Sequence, residues 1–367
     1  MNRRKLTYAA AAPAALILTA SLAACGGSSD ATTDGASGSS DLSGTLSAGG
    51  SSAQEAAMAA WRSGFQSDNP KVTINYEPVG SGAGVEQFTG GGYPFAGSDA
   101  ALDADQLKAA TQQCGADPIE VPDYVSPIAV VYNLDGVDNL QLSPDTLAGI
   151  FAGKITKWDD PAIKADNPDA DLPSDDITAV HRSDESGTSA NFTDYLSQVS
   201  GNVWTWGSTE AWPKDISGGE GAQGTSGVVD AVKNGAGTIG YADASQAGDL
   251  GTASVKVGSE YVAPTADAAS KVLDVSKPMP NRPATDMAVE VDRKTTESGV
   301  YPIVLVSYVM ACPTYSDAST ADMVKGFLTY VVSQDGQQAA AQAAGSAPLS
   351  SELSDQATKL LSQIKAG

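Results

Sequence analysis

The segment from His181 to Thr193 gathers side chains suited to holding a small anion. Arg182 supplies a planar, permanently charged fork that can donate two parallel hydrogen bonds. Asp184, two residues on, can pair with that fork and fix its direction. Ser186, Gly187 and Thr188 follow, and the apolar spacing of Phe192, Tyr195 and Leu196 predicts a helix that begins there. A helix start offers free backbone N–H groups and partial positive charge. Gly187 lets the backbone come close, and the two hydroxyls add donors. The chemistry is recognition of a tetrahedral oxyanion. The segment by itself is also compatible with a capped helix carrying a local salt bridge.

Three more loops share the pattern: Ser51-Ser52-Ala53, Gly80-Ser81-Gly82 and Gly97-Ser98-Asp99. Each ends a predicted strand, begins a predicted helix and carries small hydroxyl residues. Four such starts exceed what capping requires, and together they can surround one small anion. Two positions stay ambiguous. Ser52 and Glu55 have capping-box spacing, so the Ser52 hydroxyl can serve its own helix or a ligand. Asp99 can be a helix N-cap or the partner of a protonated ligand oxygen.

The elements that position these loops alternate. Strands are predicted at 45–47, 72–76, 128–132, 177–182, 237–241 and 303–310. Helices are predicted from 52 to 66 (Met58, Trp61 and Phe65 on one face), around Val85 and Phe88, and at 104–112, 147–151, 323–332 and 352–364. Strand, small-residue loop and helix in repetition predict an α/β fold with its sites at strand ends.

Composition narrows the function. The chain has 367 residues, with 44 acidic against 21 basic, a net charge of −23. That length suggests two domains. So acidic a chain repels nucleic-acid backbones, so no nucleic-acid partner is expected. The single histidine excludes a His-rich metal site and puts any Ser-His-Asp triad on His181. Neither a metal nor a cofactor is expected. Gly80 to Val85 lacks the third glycine of a dinucleotide fingerprint, and Gly149 to Ile155 falls short of a phosphate loop. The acidic run 166–176 lacks the calcium-loop glycine and terminal Glu, and reads as a solvated loop.

Residues 1–24 read as a signal peptide: Arg3, Arg4 and Lys5, an apolar stretch, then Leu22-Ala23-Ala24-Cys25. The ending resembles a bacterial lipobox, which implies lipidation of Cys25 and cleavage before it. Residues 25–43 then form the lipidated cysteine and a flexible Gly/Ser/Thr/Asp linker. Removing the leader takes three cations with it, so the mature charge is 18 − 44 = −26. Outside the cytoplasm Cys114 and Cys312 are expected to form a disulfide, the alternative being two buried free thiols.

With these residues assembled, the chain resembles the phosphate-binding protein of the bacterial phosphate ABC importer. The run Arg182-Ser183-Asp184-Glu185-Ser186-Gly187-Thr188-Ser189 is the most specific part. Gly50 to Ala53 with Trp61 downstream, Gly80 to Val85, Gly97 to Ala100, Gly153 to Asp160 and Gly237 to Tyr241 follow the family's other signatures in order. The likeness spans about residues 45–365. It implies a two-lobed periplasmic-binding-protein-like (type II) α/β fold with a hinge and an interlobe cleft. The lobes are expected at 42–126 plus 257–367, and at 127–256. It implies a monomer, anchored by lipid on the outer face of the cytoplasmic membrane, that delivers inorganic phosphate to membrane permease subunits without catalysis. The implied contacts are Ser52 and Ala53, Ser81, Asp99 on the protonated phosphate oxygen, Arg182 oriented by Asp184, and Ser186, Gly187 and Thr188. Glu185 stands where others of the family have Gly. The residues alone leave open a secreted phosphohydrolase, a binder of another oxyanion such as sulfate or molybdate, and an adhesin or sensor.

Overall fold

The computed structural model describes residues 42–367. The signal peptide, Cys25 and most of the linker lie outside the described residues. One nine-stranded sheet runs through the described chain, in the order Val72–Glu77, Gly44–Gly50, Phe95–Ser98, Val304–Ala311, Ile119–Asn133, Thr238–Asp243, Thr178–Arg182, Glu220–Ala222, with Gly251–Thr252 also pairing onto Ile119–Asn133. Parallel pairings at the flanks, such as Gly44–Gly50 on Val72–Glu77, return through helices. This matches the expected strand–loop–helix rhythm.

The fifteen-residue strand Ile119–Asn133 is the spine. Its residues 119–127 pair with Val304–Ala311, whereas residues 128–133 pair with Thr238–Asp243. The exchange falls between Pro127 and Ile128, where Ile128 N donates to Ile303 O at 2.8 Å. Two large apolar clusters form on either side. One joins Leu46, Trp61, Phe65, Phe95, Val309 and Phe327. The other joins Leu147, Phe151, Trp158, Phe192, Tyr241 and Val255. Ala268, Ala269, Val272 and Tyr301, expected with the first lobe, pack in this second cluster. Two buried indole N–H groups find carbonyls: Trp61 on Gly336 O at 2.8 Å, Trp158 on Gly237 O at 3.0 Å.

Cys114 ends the helix Ala104–Cys114 and is bonded to Cys312, just past Val304–Ala311, with 5.1 Å between their Cα atoms. The expected disulfide is present. Among the described residues no helix is long and apolar enough to cross a membrane.

Several local expectations change. The first helix is Glu55–Asp68, with Gln54 at its N-cap and no side-chain cap, so the Ser52–Glu55 capping box does not form. Asp99 caps no helix either. A short loop separates it from Ala104–Cys114, which Asp103 and Gln106 cap reciprocally. The acidic loop is partly structural, because buried Asp166 accepts from Ser143 N and Tyr261 OH, both at 2.8 Å. Helices Gly224–Asn234, Ala266–Val275 and Gln334–Ala344 were not anticipated.

Candidate functional site

The site begins where strand Gly44–Gly50 runs out into Ser51, Ser52 and Ala53. The Ser51 hydroxyl turns back over its own loop, accepting from Ala53 N at 3.1 Å and Gln54 N at 3.3 Å. It donates to Asp99 Oδ1. Ser307 Oγ donates to the same oxygen at 2.8 Å, and Thr188 Oγ1 donates to Oδ2 at 3.2 Å. Asp99 N donates to Ser81 Oγ at 3.1 Å. Asp99 is 2% exposed. Burial raises its pKa, while the Ser51, Ser307 and Thr188 hydroxyls and the Arg182 charge pull the other way.

Strand Thr178–Arg182 delivers Arg182 from the opposite side. Its side chain is 2% exposed and forms the expected fork with Asp184: Nε to Oδ1 at 2.8 Å, Nη2 to Oδ2 at 2.5 Å. Gly224 N also donates to Asp184 Oδ1 at 3.1 Å. Burial works against the Asp184 charge, but the Arg182 fork and this N–H outweigh it, and the carboxyl is held below its usual range. Arg182 N meets the hydroxyl of Tyr241 at 3.2 Å.

Helix Gly187–Val199 starts between these two groups. Ser186 Oγ caps it by accepting from Ser189 N at 3.2 Å. Gly187 is required by space: a Cβ there would lie 2.8 Å from both Asp99 Cβ and Ser81 Oγ. Gly80, at φ +100°, faces the same side, and a Cβ on it would lie 2.8 Å from Asp184 Oδ2. Bare backbone at Gly187 therefore approaches Asp99, and bare backbone at Gly80 approaches Asp184.

The expected residues form one connected set. Ser52, whose hydroxyl had two candidate partners, takes a third: it accepts from Thr225 N at 3.1 Å and lies 3.1 Å from Thr225 Oγ1. Gly224 and Thr225 open the unanticipated helix and join Ser52 to Asp184. Glu185 is exposed, with its carboxylate arm over Gly82, and Glu210 approaches the same spot. Burial pushes Glu210 up to about 7, helped by the charges of Glu185, Asp103 and Asp99.

Sequence reasoning missed Ser307, Gly224, Thr225, Asn191 and Arg293 here. Ser307 is the lone hydroxyl in an otherwise apolar strand, apart from Tyr308, and that contrast was a readable signal. Gly224-Thr225-Ser226 repeats the small-hydroxyl helix start of the other loops. Asn191 and Arg293 gave no such signal. Asn191 Nδ2 donates to Asp99 O at 2.5 Å and Gly187 O at 2.9 Å. Arg293, 2% exposed, donates to Asn191 Oδ1 and to the carbonyls of Pro302 and Val304 at 2.9 and 3.0 Å.

The α/β fold and this enclosed cluster define a solute-binding protein of the periplasmic type. Residues 35–335 match the PBP superfamily domain, and the chain belongs to that superfamily. Within it the chain is a member of the PstS family of phosphate-binding proteins. It is 38% identical to Phosphate-binding protein PstS 3 of Mycobacterium tuberculosis over 341 residues, 89% of this chain and 90% of the relative. It is 34% identical to Phosphate-binding protein PstS of Methanocaldococcus jannaschii over 292 residues, 75% of each chain. The same fold occurs in a high-affinity periplasmic phosphate-binding protein, PfluDING, solved with phosphate bound (TM-score 0.69, 23% identity, 85% of this chain and 92% of that one). It also occurs in a phosphate-binding protein from Stenotrophomonas maltophilia (TM-score 0.65, 19% identity, 86% and 94%).

Proposed function

We propose that this chain captures inorganic phosphate between two lobes and hands it to the permease of an ABC importer. One observation carries the reading. A buried carboxylate, Asp99, fixed by hydroxyl donors, faces a helix start and an Arg182–Asp184 fork. Phosphate at neutral pH still has a proton to donate to Asp99 and negative oxygens for Arg182 and the N–H groups, whereas sulfate has no proton to give.

In this reading Ser52 and Ala53 serve the ligand from the first loop and Ser81 from the second. Arg182, oriented by Asp184, neutralises charge, and Ser186, Gly187 and Thr188 supply N–H and hydroxyl groups. The lobes divide where strand pairing changes hands: 42–127 with 304–367, and 128–303. Ala268 and Tyr301 share an apolar cluster with Val255, and Tyr301 OH donates to Ile128 O at 2.7 Å, which supports assigning residues up to 303 to the second lobe. Closure is a hinge motion on strands 119–133 and 304–311, with no covalent step. The leader and Cys25 support export and lipid anchoring of a monomer to the outer face of the cytoplasmic membrane.

The test is calorimetric titration of the mature chain with phosphate and with sulfate, followed in parallel by tryptophan emission. Tight phosphate binding with an emission change is expected. Equal affinity for sulfate, or steady release of phosphate from an ester substrate, overturns the reading. Radiolabelled palmitate should label the wild type and not Cys25→Ser; label retained by the variant removes Cys25 as the attachment site, and an unlabelled wild type removes the lipid anchor.

A further inference from the structure

Two buried acceptors stand without partners beside the first ligand loop: Gln54 Oε1 and Asp123 Oδ2. Both residues are 0% exposed. Gln54 closes the loop that carries Ser51, Ser52 and Ala53, and its N–H meets Ser51 Oγ. Asp123 lies within strand Ile119–Asn133. Gln54 Nε2 donates to Asp123 Oδ1 at 3.3 Å. Were Asp123 ionised, each orphan acceptor would bear its full desolvation cost, and a second negative charge would be buried behind Asp99.

We infer that Asp123 is a neutral carboxylic acid at neutral pH, its Oδ2 proton donated to Gln54 Oε1, closing an amide–acid pair that pins the ligand loop to the shared strand. One proton then satisfies both orphans. The consequence for the site, which rests on the phosphate reading, is that Asp99 remains the ionised member of the two. Asp123 is thus a positioning residue, acting through Gln54 and Ser51.

The surroundings agree. Asp99 faces Asp123 from the end of strand Phe95–Ser98. Tyr76 faces it from Val72–Glu77, its hydroxyl donating to Ser51 O at 3.1 Å. Helix Gln334–Ala344 contributes the neutral Gln337, whose Nε2 donates to Asp123 O at 2.7 Å. None of these is a cation. Burial and then the Asp99 charge raise the Asp123 pKa well above the carboxylate range, opposed in part by the N–H groups of Asp123 and Tyr124.

The experiment uses the mature chain without phosphate and the variant Asp123→Asn. Asn can make the same two hydrogen bonds to Gln54, so the variant is expected to fold. The infrared difference, wild type minus variant at pH 7, should contain a protonated-carboxyl C=O band. The melting temperature supplies a second readout. An acid with a raised folded pKa stabilises the fold fully below its unfolded pKa of about 4, and this is lost as pH rises. The variant should therefore melt above wild type by a few degrees at pH 8, with the gap closing toward pH 5. An absent band, or a gap independent of pH, overturns the inference, as when a bridging water serves both acceptors of an ionised Asp123. If the variant does not fold, Gln54→Leu serves: the band should shift in frequency, and an unshifted or missing band is the overturning result. Neither readout involves phosphate, so this inference and the phosphate reading can fail separately.

Discussion

Asp99 and Glu210 are both acids near the same cleft, yet their surroundings differ. Asp99 has three hydroxyl donors and the field of Arg182, which favour its charged form and offset part of the larger upward push of burial on its pKa. Asp99→Asn replaces an acceptor with a group that also donates. The preference for phosphate over sulfate should then fall by about a hundredfold or more, within the 10⁴–10⁵ that such a buried partner can provide. Unchanged selectivity in calorimetric titrations would remove Asp99 from that role. Glu210 faces only acids: Glu185, Asp103 and Asp99. With a pKa raised to about 7, it is neutral in mild acid and gains charge as pH rises through 7, so its favourable contribution is lost on the alkaline side. Glu210→Gln should bind phosphate like wild type at pH 6 and several-fold more tightly at pH 8.5. A variant-to-wild-type affinity ratio that stays flat across that range would contradict this.

The site is assembled at element ends, and this explains which parts could be read from sequence. A strand that stops at a small hydroxyl residue, followed by apolar helical spacing, announces itself locally, so the Ser52, Ser81 and Arg182-to-Thr188 segments were legible. Asp184 was legible because it lies two residues from its partner. Ser307 and Arg293 act across 208 and 102 residues, on Asp99 and Asn191, and nothing local marks their partners. Ser52 shows the limit from the other side: its capping-box spacing with Glu55 was correct as a pattern, yet its hydroxyl goes to Thr225, 173 residues away. The same logic hid the extent of strand Ile119–Asn133, whose first half carries Glu120, Asp123 and Ser126 buried among apolar residues. The disulfide was legible by counting, and its position now gives it a task. Cys114 and Cys312 tie the end of helix Ala104–Cys114 to the end of strand Val304–Ala311 over 198 residues of sequence. Replacing both by Ser should lower stability by about 2–4 kcal/mol. Chemical denaturation with and without reductant measures it, and equal midpoints for the oxidised and reduced protein would show the bond to be idle.

At the scale of the whole molecule, a net charge of −23, or −26 once the proposed leader is removed, surrounds a site proposed to bind an anion. The surface charge and the site act over different distances. In the proposed site, Arg182 and the N–H groups would contact the ligand directly, and Arg182 is 2% exposed. Outside, the summed surface field is screened over about 8 Å at physiological ionic strength. The field therefore acts on approach rather than on the bound state, and the effect should appear in the rate of capture. Tryptophan emission provides the readout, because Trp212 stacks on His181 at 4.6 Å and lies 6.0 Å from the Tyr241 ring, whose hydroxyl meets Arg182 N. In stopped-flow mixing, the association rate for phosphate should rise with added sodium chloride from low ionic strength and level off near 0.15 M, with a smaller change in the dissociation rate. An association rate that falls as salt is added would mean that the local positive potential of the cleft reaches past the acidic surface and steers the ligand in.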